Sequence, residues 1–259
     1  MRDAYALIGN PVAHSKSPLI HAEFARAERQ AMDYTLIEAA PDAFERSVAQ
    51  FRRKGGRGLN VTVPFKESAF RLCQRVSARA RVAQSVNTLV FGDDVYGDNT
   101  DGIGLVRDFA DHLSFALKGR AVLLIGAGGA AQGVVGPLIE AGVGRLVIAN
   151  RTADRARALA ARFPGAAGCG FDAMGVEPFE VVINATSAED IPMPRFRPAM
   201  LAYDMAYGRE TPFLAAARAA GARASDGLGM LVEQAAESFL IWRGVRPDTR
   251  TVLRKLRAG

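Results

Sequence analysis

The chain has 259 residues, 49% of them apolar, and carries 33 Lys and Arg against 27 Asp and Glu, a formal charge of +6. That length is generous for one compact domain and comfortable for two small ones, with enough apolar residues for a true core. The basic balance does not mark a nucleic-acid binder, because the arginines are spread over many helical stretches, with no zinc-finger spacing and no aromatic RNA-binding signature. No uncharged apolar run approaches the roughly 18 residues of a membrane span, and the N-terminal MRDAYALIGNP has no signal-peptide core. The expectation is a cytoplasmic protein that binds small molecules, neither nucleic acid nor membrane.

Taken in chain order, Tyr5–Ile8 reads as a strand, followed by a turn at Gly9-Asn10-Pro11. A helix follows over about Pro18–Glu28, with Ser17 placed to cap it and Pro18 in its first turn. Tyr34–Ala39 is a strand, Pro41–Lys54 is helical by period, and Gly58–Val63 is a strand that ends at Pro64. Phe65–Cys73 is a helix, and Thr88–Phe91 with Val95–Asp98 make a hairpin around Gly92-Asp93-Asp94. Gly102–Leu117 reads as a helix with Ile103, Val106, Phe109, Ala110 and Leu113 on its apolar face, ended by Gly119. A nucleotide-binding pattern runs from there to about Asp226, and Gly227–Gly259 makes two helices separated near Gly244–Pro247. Alternating strands and helices imply an α/β fold with parallel sheets. A domain boundary falls near Asp101. Cys73 and Cys169 form no metal-like or CxxC spacing and are expected as two free thiols.

The most specific local pattern lies between Arg120 and Arg155. The apolar run Ala121–Ile125 leads at once into Gly126-Ala-Gly-Gly-Ala-Ala131, then a helical stretch, then a second apolar strand at Leu146–Ala149. Gly126 permits the sharp turn off the strand. Gly128 and Gly129 let the backbone approach a pyrophosphate, and the helix N-terminus offers N–H groups and a positive dipole end. NAD-binding chains usually carry an acid at the end of the second strand, for the ribose 2′-hydroxyl. This chain has Asn150-Arg151-Thr152, with Arg155 one turn on. Two guanidinium groups suit a 2′-phosphate, so the cofactor read from these residues is NADP(H); ordinary surface arginine is the competing reading. Asp154 sits where it favours the dipole of the next helix.

Four polar clusters precede this unit. In His14-Ser15-Lys16-Ser17-Pro18 the two hydroxyls can face an anionic or polyhydroxyl ligand, or Ser17 can simply cap the helix. In Asn60-Val-Thr-Val-Pro-Phe-Lys66, Asn60 and Thr62 share one face of a strand. Lys66 follows at that strand's C-terminal edge, where an amine can exchange a proton and a guanidinium cannot. The third cluster is Ser85-Val-Asn87-Thr88. The fourth, Gly97-Asp-Asn-Thr-Asp101-Gly-Ile-Gly104, offers Asp101 as a helix cap or as the partner of a lysine.

The ordered motifs HSKSP, NVTVPFK, SVNTL, GDNTDGIG, GAGGAA, NRT, INATS, YDMAY and DGLGMLVEQA cover nearly the whole chain. In this set the sequence resembles the shikimate dehydrogenase family. The resemblance implies an N-terminal α/β substrate domain, residues 1–101 plus 227–259, to which the last helices return, and a Rossmann-type NADP-binding domain, residues 102–226. It implies that Ser15 and Ser17 hold a substrate carboxylate with Tyr207 beside them. Asn60, Thr62, Asn87, Asp101 and Gln234 would bond ring hydroxyls, and Lys66 would exchange the proton with Asp101 as its partner. Gly126, Ala127, Gly128, Gly129, Ala130, Asn150, Arg151, Thr152, Arg155, Met205 and Gly227 would line the cofactor, with Thr186 in the segment closing its nicotinamide half. The implied reaction is reversible NADPH-dependent reduction of 3-dehydroshikimate to shikimate, in aromatic amino acid biosynthesis, by a monomer or homodimer. No metal is needed, because a lysine ammonium can stabilise the nascent alkoxide. Departures from the family pattern are Ser85, Ala78, the short segment Tyr207-Gly-Arg-Glu-Thr-Pro, and Ala188-Glu189-Asp190. They leave open a quinate/shikimate enzyme, or a paralogue acting on a related cyclic hydroxy acid. A sensor that binds NADP(H) without turnover is the alternative from another class.

Overall fold

The structure, a computed structural model, describes residues 2–174, 178–188 and 190–258. The departure at Ala188-Glu189-Asp190 therefore includes one residue, Glu189, outside the described set. The chain divides into two units, Met1–Gly104 with Leu231–Gly259, and Leu105–Met230. Among the described residues no helix is long and apolar enough to cross a membrane.

The first unit holds β1 (Asp3–Gly9), β2 (Met32–Glu38), β3 (Gly56–Val61), β4 (Arg75–Val76), β5 (Thr88–Phe91) and β6 (Val95–Asp98). Their order across the sheet is β2-β1-β3-β5-β6-β4. Helices α1 (Ser17–Ala27) and α2 (Phe44–Arg53) carry the chain between β1, β2 and β3, which pair in parallel. β5 runs antiparallel to both β3 and β6. This sheet is therefore mixed, not parallel as the alternation suggested. The Gly92–Asp94 connection is too short for a crossover, so β5 and β6 can only make a hairpin. The reversal has a consequence for chemistry. It brings the start of β5 to the edge where β3 and β6 end, with Asn60 opposite Thr88 and Thr88 opposite Asp98.

Around that sheet lie α3 (Lys66–Leu72), α4 (Ala78–Ala83) and α5 (Asp101–Arg107). The last two helices are α9 (Leu228–Arg243) and α10 (Thr249–Ala258). Both unit divisions fall inside helices, α5 and α9, within a few residues of the expected boundaries at 101/102 and 226/227. Gly104 lets α5 and α9 touch: a Cβ there would lie 2.7 Å from the Cβ of Gln234. Trp242 on α9 donates to the Leu89 carbonyl at 3.0 Å and packs on Tyr5 with ring centroids 4.6 Å apart.

The second unit holds β7 (Ala121–Ile125), β8 (Arg145–Ala149), β9 (Ala166–Cys169), β10 (Val181–Asn184), β11 (Leu201–Asp204) and β12 (Arg223–Asp226). The order β12-β11-β10-β7-β8-β9 is wholly parallel. It is the Rossmann order, reversing direction between β7 and β10. Helices α6 (Gly129–Glu140), α7 (Ala153–Ala160) and α8 (Pro212–Ala219) belong to it. β7 is apolar throughout because both its faces are covered: Val122 and Leu124 join one core cluster, Leu123 and Ile125 another.

Three local expectations need correction. Ser17 does not cap α1; it is the first helical residue and Lys16 occupies the cap position without a side-chain bond. The Ser15 hydroxyl accepts from Ser17 N instead, at 3.2 Å. β3 stops at Val61, so Thr62 lies just past it, its amide still bonded to the Ile8 carbonyl at 2.9 Å. The expected helix Gly102–Leu117 ends at Arg107 and widens into a π turn, Asp108–His112, followed by left-handed Ser114. Its core face is Leu105, Phe109, Leu113 and Leu117. The wide turn follows a buried acid, Asp108, which accepts from Tyr203 Oη at 2.6 Å.

His21 on α1 is fully buried and stacked on Tyr34, ring centroids 4.2 Å apart; among the described residues neither ring nitrogen makes a well-formed hydrogen bond, and only the nearby Asn60 side chain favours its charged form. Burial pushes its pKa from 6.5 down to about 3. Below pH 6.5 the unfolded chain takes up a proton that the folded chain refuses until about pH 3, so stability falls as the pH drops through that window. At pH 5 the expected loss is on the order of 2 kcal/mol. Urea unfolding at pH 7.5 and pH 5 should show that much less pH dependence in His21→Phe. Equal pH dependence in the two proteins would remove His21 from the account.

Candidate active site

The mixed sheet gathers the polar clusters on one edge of the first unit. Residues 10–17 follow β1, residues 62–66 follow β3, Asn87 precedes β5, and residues 99–101 follow β6. Lys66 Nζ lies 2.6 Å from Asp101 Oδ2, with 12% and 6% of the two side chains exposed. Lys66 is the first residue of α3, at the end of the helix dipole that disfavours a cation. Helix stability does not explain a lysine there; the Asp101 carboxylate holds it. The other oxygen of Asp101 accepts from Asn87 Nδ2 at 2.9 Å.

The Asn87 amide can have only one orientation. Its Oδ1 accepts from Thr100 N at 2.8 Å, so Nδ2 must face Asp101, Thr100 Oγ1 at 2.9 Å and Gln234 Oε1 at 3.2 Å. Asn60 is fixed similarly. Tyr34 Oη donates to its Oδ1 at 2.8 Å, which leaves Nδ2 to donate to the Asn87 carbonyl at 3.1 Å and Ser238 Oγ at 2.9 Å. Lys66, Asp101, Asn87, Asn60 and Gln234 thus stand in one hydrogen-bonded group. Ser15 and Ser17 bond each other at 3.2 Å. Among the described residues neither they nor Thr62 bond that group, although all three follow the same edge. Tyr207 belongs to the second unit, on the segment after β11.

In the second unit a parallel sheet places every strand's C-terminal end on one edge. Gly126 to Ala130 follow β7, and Asn150 to Arg155 follow β8. Thr186 follows β10, Met205 follows β11, and Gly227 follows β12. The reversal of strand order beside β7 makes this the binding edge of such a sheet. Gly126 has φ +114°, and an added Cβ there would press on the Ala185 carbonyl oxygen at 3.1 Å. Gly128 is extended, and a Cβ on it would meet nothing within 4 Å, so its backbone borders open space that a phosphate can enter. The first internal bond of α6 runs from Gln132 N to the Gly128 carbonyl. The amides of Ala130 and Ala131 therefore point out of the helix end. These features fit a dinucleotide's pyrophosphate.

Arg151 and Arg155 are both exposed beyond β8. Asp154 pairs with Arg157 at 2.9 Å, not with Arg155, and Asp190 reaches Arg151 only at 4.0 Å. The loops after β10 and β11 are tied together by a residue the sequence reading did not single out. Buried Asp204 accepts from Asn184 Nδ2 at 3.2 Å, Thr211 Oγ1 at 2.7 Å and Ala206 N at 3.0 Å. Asn184 Oδ1 in turn accepts from Thr186 N at 3.2 Å. Tyr34, Thr100 and Ser238 were also missed. Ser238 alone left a signal, a hydroxyl one turn beyond Gln234 within an apolar helix. Among the described residues no group of His, Cys, Asp and Glu is placed to hold a metal ion, and neither cysteine forms a disulfide.

Three family models match successive parts of the chain. Residues 7–89 match the shikimate dehydrogenase substrate binding domain. Residues 108–204 match shikimate / quinate 5-dehydrogenase, and residues 227–257 match the shikimate 5'-dehydrogenase C-terminal domain. The chain is 56% identical over 268 residues to the NADP(+) shikimate dehydrogenase of Methylobacillus flagellatus, covering 99% of each chain. It superposes on the Ael1 enzyme of Pseudomonas putida with a TM-score of 0.90 at 48% identity, covering 98% of each. The Thermus thermophilus shikimate 5-dehydrogenase, solved with NADP(H) and shikimate, gives a TM-score of 0.85 at 31% identity over 99% of each chain. Identity at this level over the whole length, with family models matched along the chain, means that the chain belongs to the shikimate dehydrogenase family.

Proposed function

We propose that this protein interconverts 3-dehydroshikimate and shikimate with NADP(H), as a step in aromatic amino acid biosynthesis. As a family member the chain is an NADP-dependent oxidoreductase; the substrate and direction are the proposal. The observation that carries it is the Lys66–Asp101 pair at 2.6 Å, set among amide groups suited to hydroxyls. The nicotinamide, when bound, supplies a hydride to the carbonyl carbon or takes it back. Lys66 gives its proton to the carbonyl oxygen as that oxygen gains charge, and recovers it from the hydroxyl in the reverse direction. Asp101 holds the ammonium in place. Asn60, Thr62, Asn87 and Gln234 orient the ring hydroxyls, and Ser15 and Ser17 take the carboxylate. Gly126 to Ala130 receive the pyrophosphate. Asn150, Thr152 and the two arginines take the adenosine end, with Thr186, Met205 and Gly227 along the rest.

The test is a panel of shikimate and quinate against NADP+ and NAD+, followed by absorbance. Rapid NADP+ reduction with shikimate is expected, with quinate slower. Arg151→Ala should raise KM for NADP+ about tenfold and Arg155→Ala similarly, with NAD+ kinetics unchanged, because only NADP+ carries the 2′-phosphate. Equal rates with quinate would favour a dual-substrate enzyme. No NADP+ reduction by shikimate would defeat the proposal and favour a sensor.

A further inference from the structure

Ser238 lies on α9, one turn beyond Gln234, and is completely buried. Its hydroxyl is within bonding distance of three different segments: Asn60 Nδ2 on β3 at 2.9 Å, Thr88 Oγ1 on β5 at 2.8 Å, and Thr100 Oγ1 before α5 at 3.3 Å. It can also donate back to the Gln234 carbonyl at 3.0 Å. A structural reading would stop there, with a serine satisfied by its own helix. The surrounding donors argue for more.

Asn60 Oδ1 is occupied by Tyr34 Oη, so Asn60 must donate to Ser238. Thr88 Oγ1 donates to Asn87 Oδ1 at 2.9 Å. Its own lone pairs can accept from Ser238 at 2.8 Å and from Asn60 Nδ2 at 3.2 Å, and Ser238 is the nearer donor. The bonds line up in one direction. They run from Tyr34 Oη to Asn60, from Asn60 to Ser238, from Ser238 to Thr88, from Thr88 to Asn87, and from Asn87 Nδ2 to Asp101 Oδ1. Every link lies between 2.8 and 2.9 Å. The chain ends on the carboxylate that holds Lys66, and an anion at one end favours donors that all point toward it.

We propose that Ser238 is a positioning residue for the reaction: its hydroxyl joins the two halves of a directed hydrogen-bond chain that aims Asn60 and Asn87 and steadies the Asp101 carboxylate beside Lys66. The inference rests on the proposed function, because its readout is shikimate oxidation. Ser238 touches no reacting atom and acts through Thr88 and Asn87. Asn60 also has a defined part. Both its N–H groups are engaged within the protein, so it offers a ligand hydroxyl only the remaining lone pair of Oδ1.

The experiment is a double-mutant cycle of Ser238→Ala and Thr88→Val, with kcat, KM for shikimate and KM for NADP+ measured on each folded protein. Each single variant should lose about five- to tenfold in kcat/KM for shikimate, with KM for NADP+ unchanged. The double variant should be no slower than the worse single, because one chain can be cut only once. Thr88→Ser, which keeps the hydroxyl and drops the methyl, should restore the rate to near the parent's. If Ser238→Ala cannot be recovered folded, Thr88→Val against Thr88→Ser carries the same expectation one link along. Additive losses would overturn the inference. So would unchanged kinetics in Ser238→Ala, or a Thr88→Ser variant as slow as Thr88→Val. A parent protein that does not oxidise shikimate at all would instead overturn the proposed function, and this inference with it.

Discussion

Lys66→Ala is expected to lower kcat by about two to four orders of magnitude while NADPH binding stays as in the parent. The argument is geometric. Nζ is 2.6 Å from Asp101, mostly buried, and placed where the α3 dipole opposes its charge. Such a placement costs stability unless something else requires it. Lys66→Ala removes the group proposed to exchange the proton and takes the ammonium partner from Asp101, whose other oxygen still accepts from Asn87. Lys66→Arg is expected to be nearly as slow, because guanidinium keeps the charge but cannot give up its proton. NADPH binding, read by fluorescence titration, should hold in both, because the residues proposed to bind the dinucleotide lie in the second unit. Turnover near the parent's in either variant would sink the assignment of Lys66.

Arg79→Met should destabilise the fold by about 3 kcal/mol and lower Tm by roughly 10 °C. Arg79 on α4 bonds Asp98 through Nε at 2.8 Å and Nη2 at 2.9 Å, and also reaches Glu237 on α9 at 3.1 Å. Arg246 completes the cluster, bonding fully buried Glu233 at 2.6 Å and Glu237 at 3.4 Å. Burial alone would depress the Arg79 pKa; Asp98 and Glu237 raise it above the ordinary guanidinium value. Removing the arginine takes the bidentate partner from Asp98, whose side chain is 7% exposed, and leaves Glu237, 10% exposed, with Arg246 at 3.4 Å. The cluster also sets which face of α9 meets the sheet, because Glu233 and Glu237 flank Gln234 and Ser238. Arg75→Met provides the contrast. Arg75 pairs with Asp94 at 3.1 Å, but the two side chains are 68% and 49% exposed, so its loss should cost less than about 1 kcal/mol. Thermal unfolding of the two variants separates these outcomes, and equal shifts would mean that the buried cluster contributes no more than a surface pair.

Several features were legible in the chain because the chemistry that produces them is local. The strand, glycine turn and helix from Ala121 to Glu140 depend on neighbours in sequence. So does the hairpin at Gly92–Asp94, and so does the pairing of Arg151 and Arg155 with the end of a strand. Lys66 and Asp101 could be named as candidates because each sits in a motif of its own. Their contact was not readable, since 35 positions separate them and only β5, reversed against β3, brings the two segments to one edge. The misreadings were also tertiary in origin. Ser17 has the residue type of a helix cap, but Ser15 takes the amide. The helix after Asp101 has a continuous apolar period, but it breaks at Arg107, where the buried Asp108 carboxylate accepts from Tyr203, 95 positions away. Ser238 is the extreme case. By itself it is one small polar residue in LVEQAAESFLIW, marked only by lying one turn beyond Gln234 and otherwise like a helix-satisfied serine. The packing of α9 onto α5 and the sheet, permitted by Gly104 and set by the Arg79 cluster, places its hydroxyl among Asn60, Thr88 and Thr100. Composition and spacing determined which chemical groups this protein carries and which cofactor it uses. The direction in which its amides and hydroxyls point was decided by tertiary structure, because a hydrogen bond's donor is chosen by the partners on its far side.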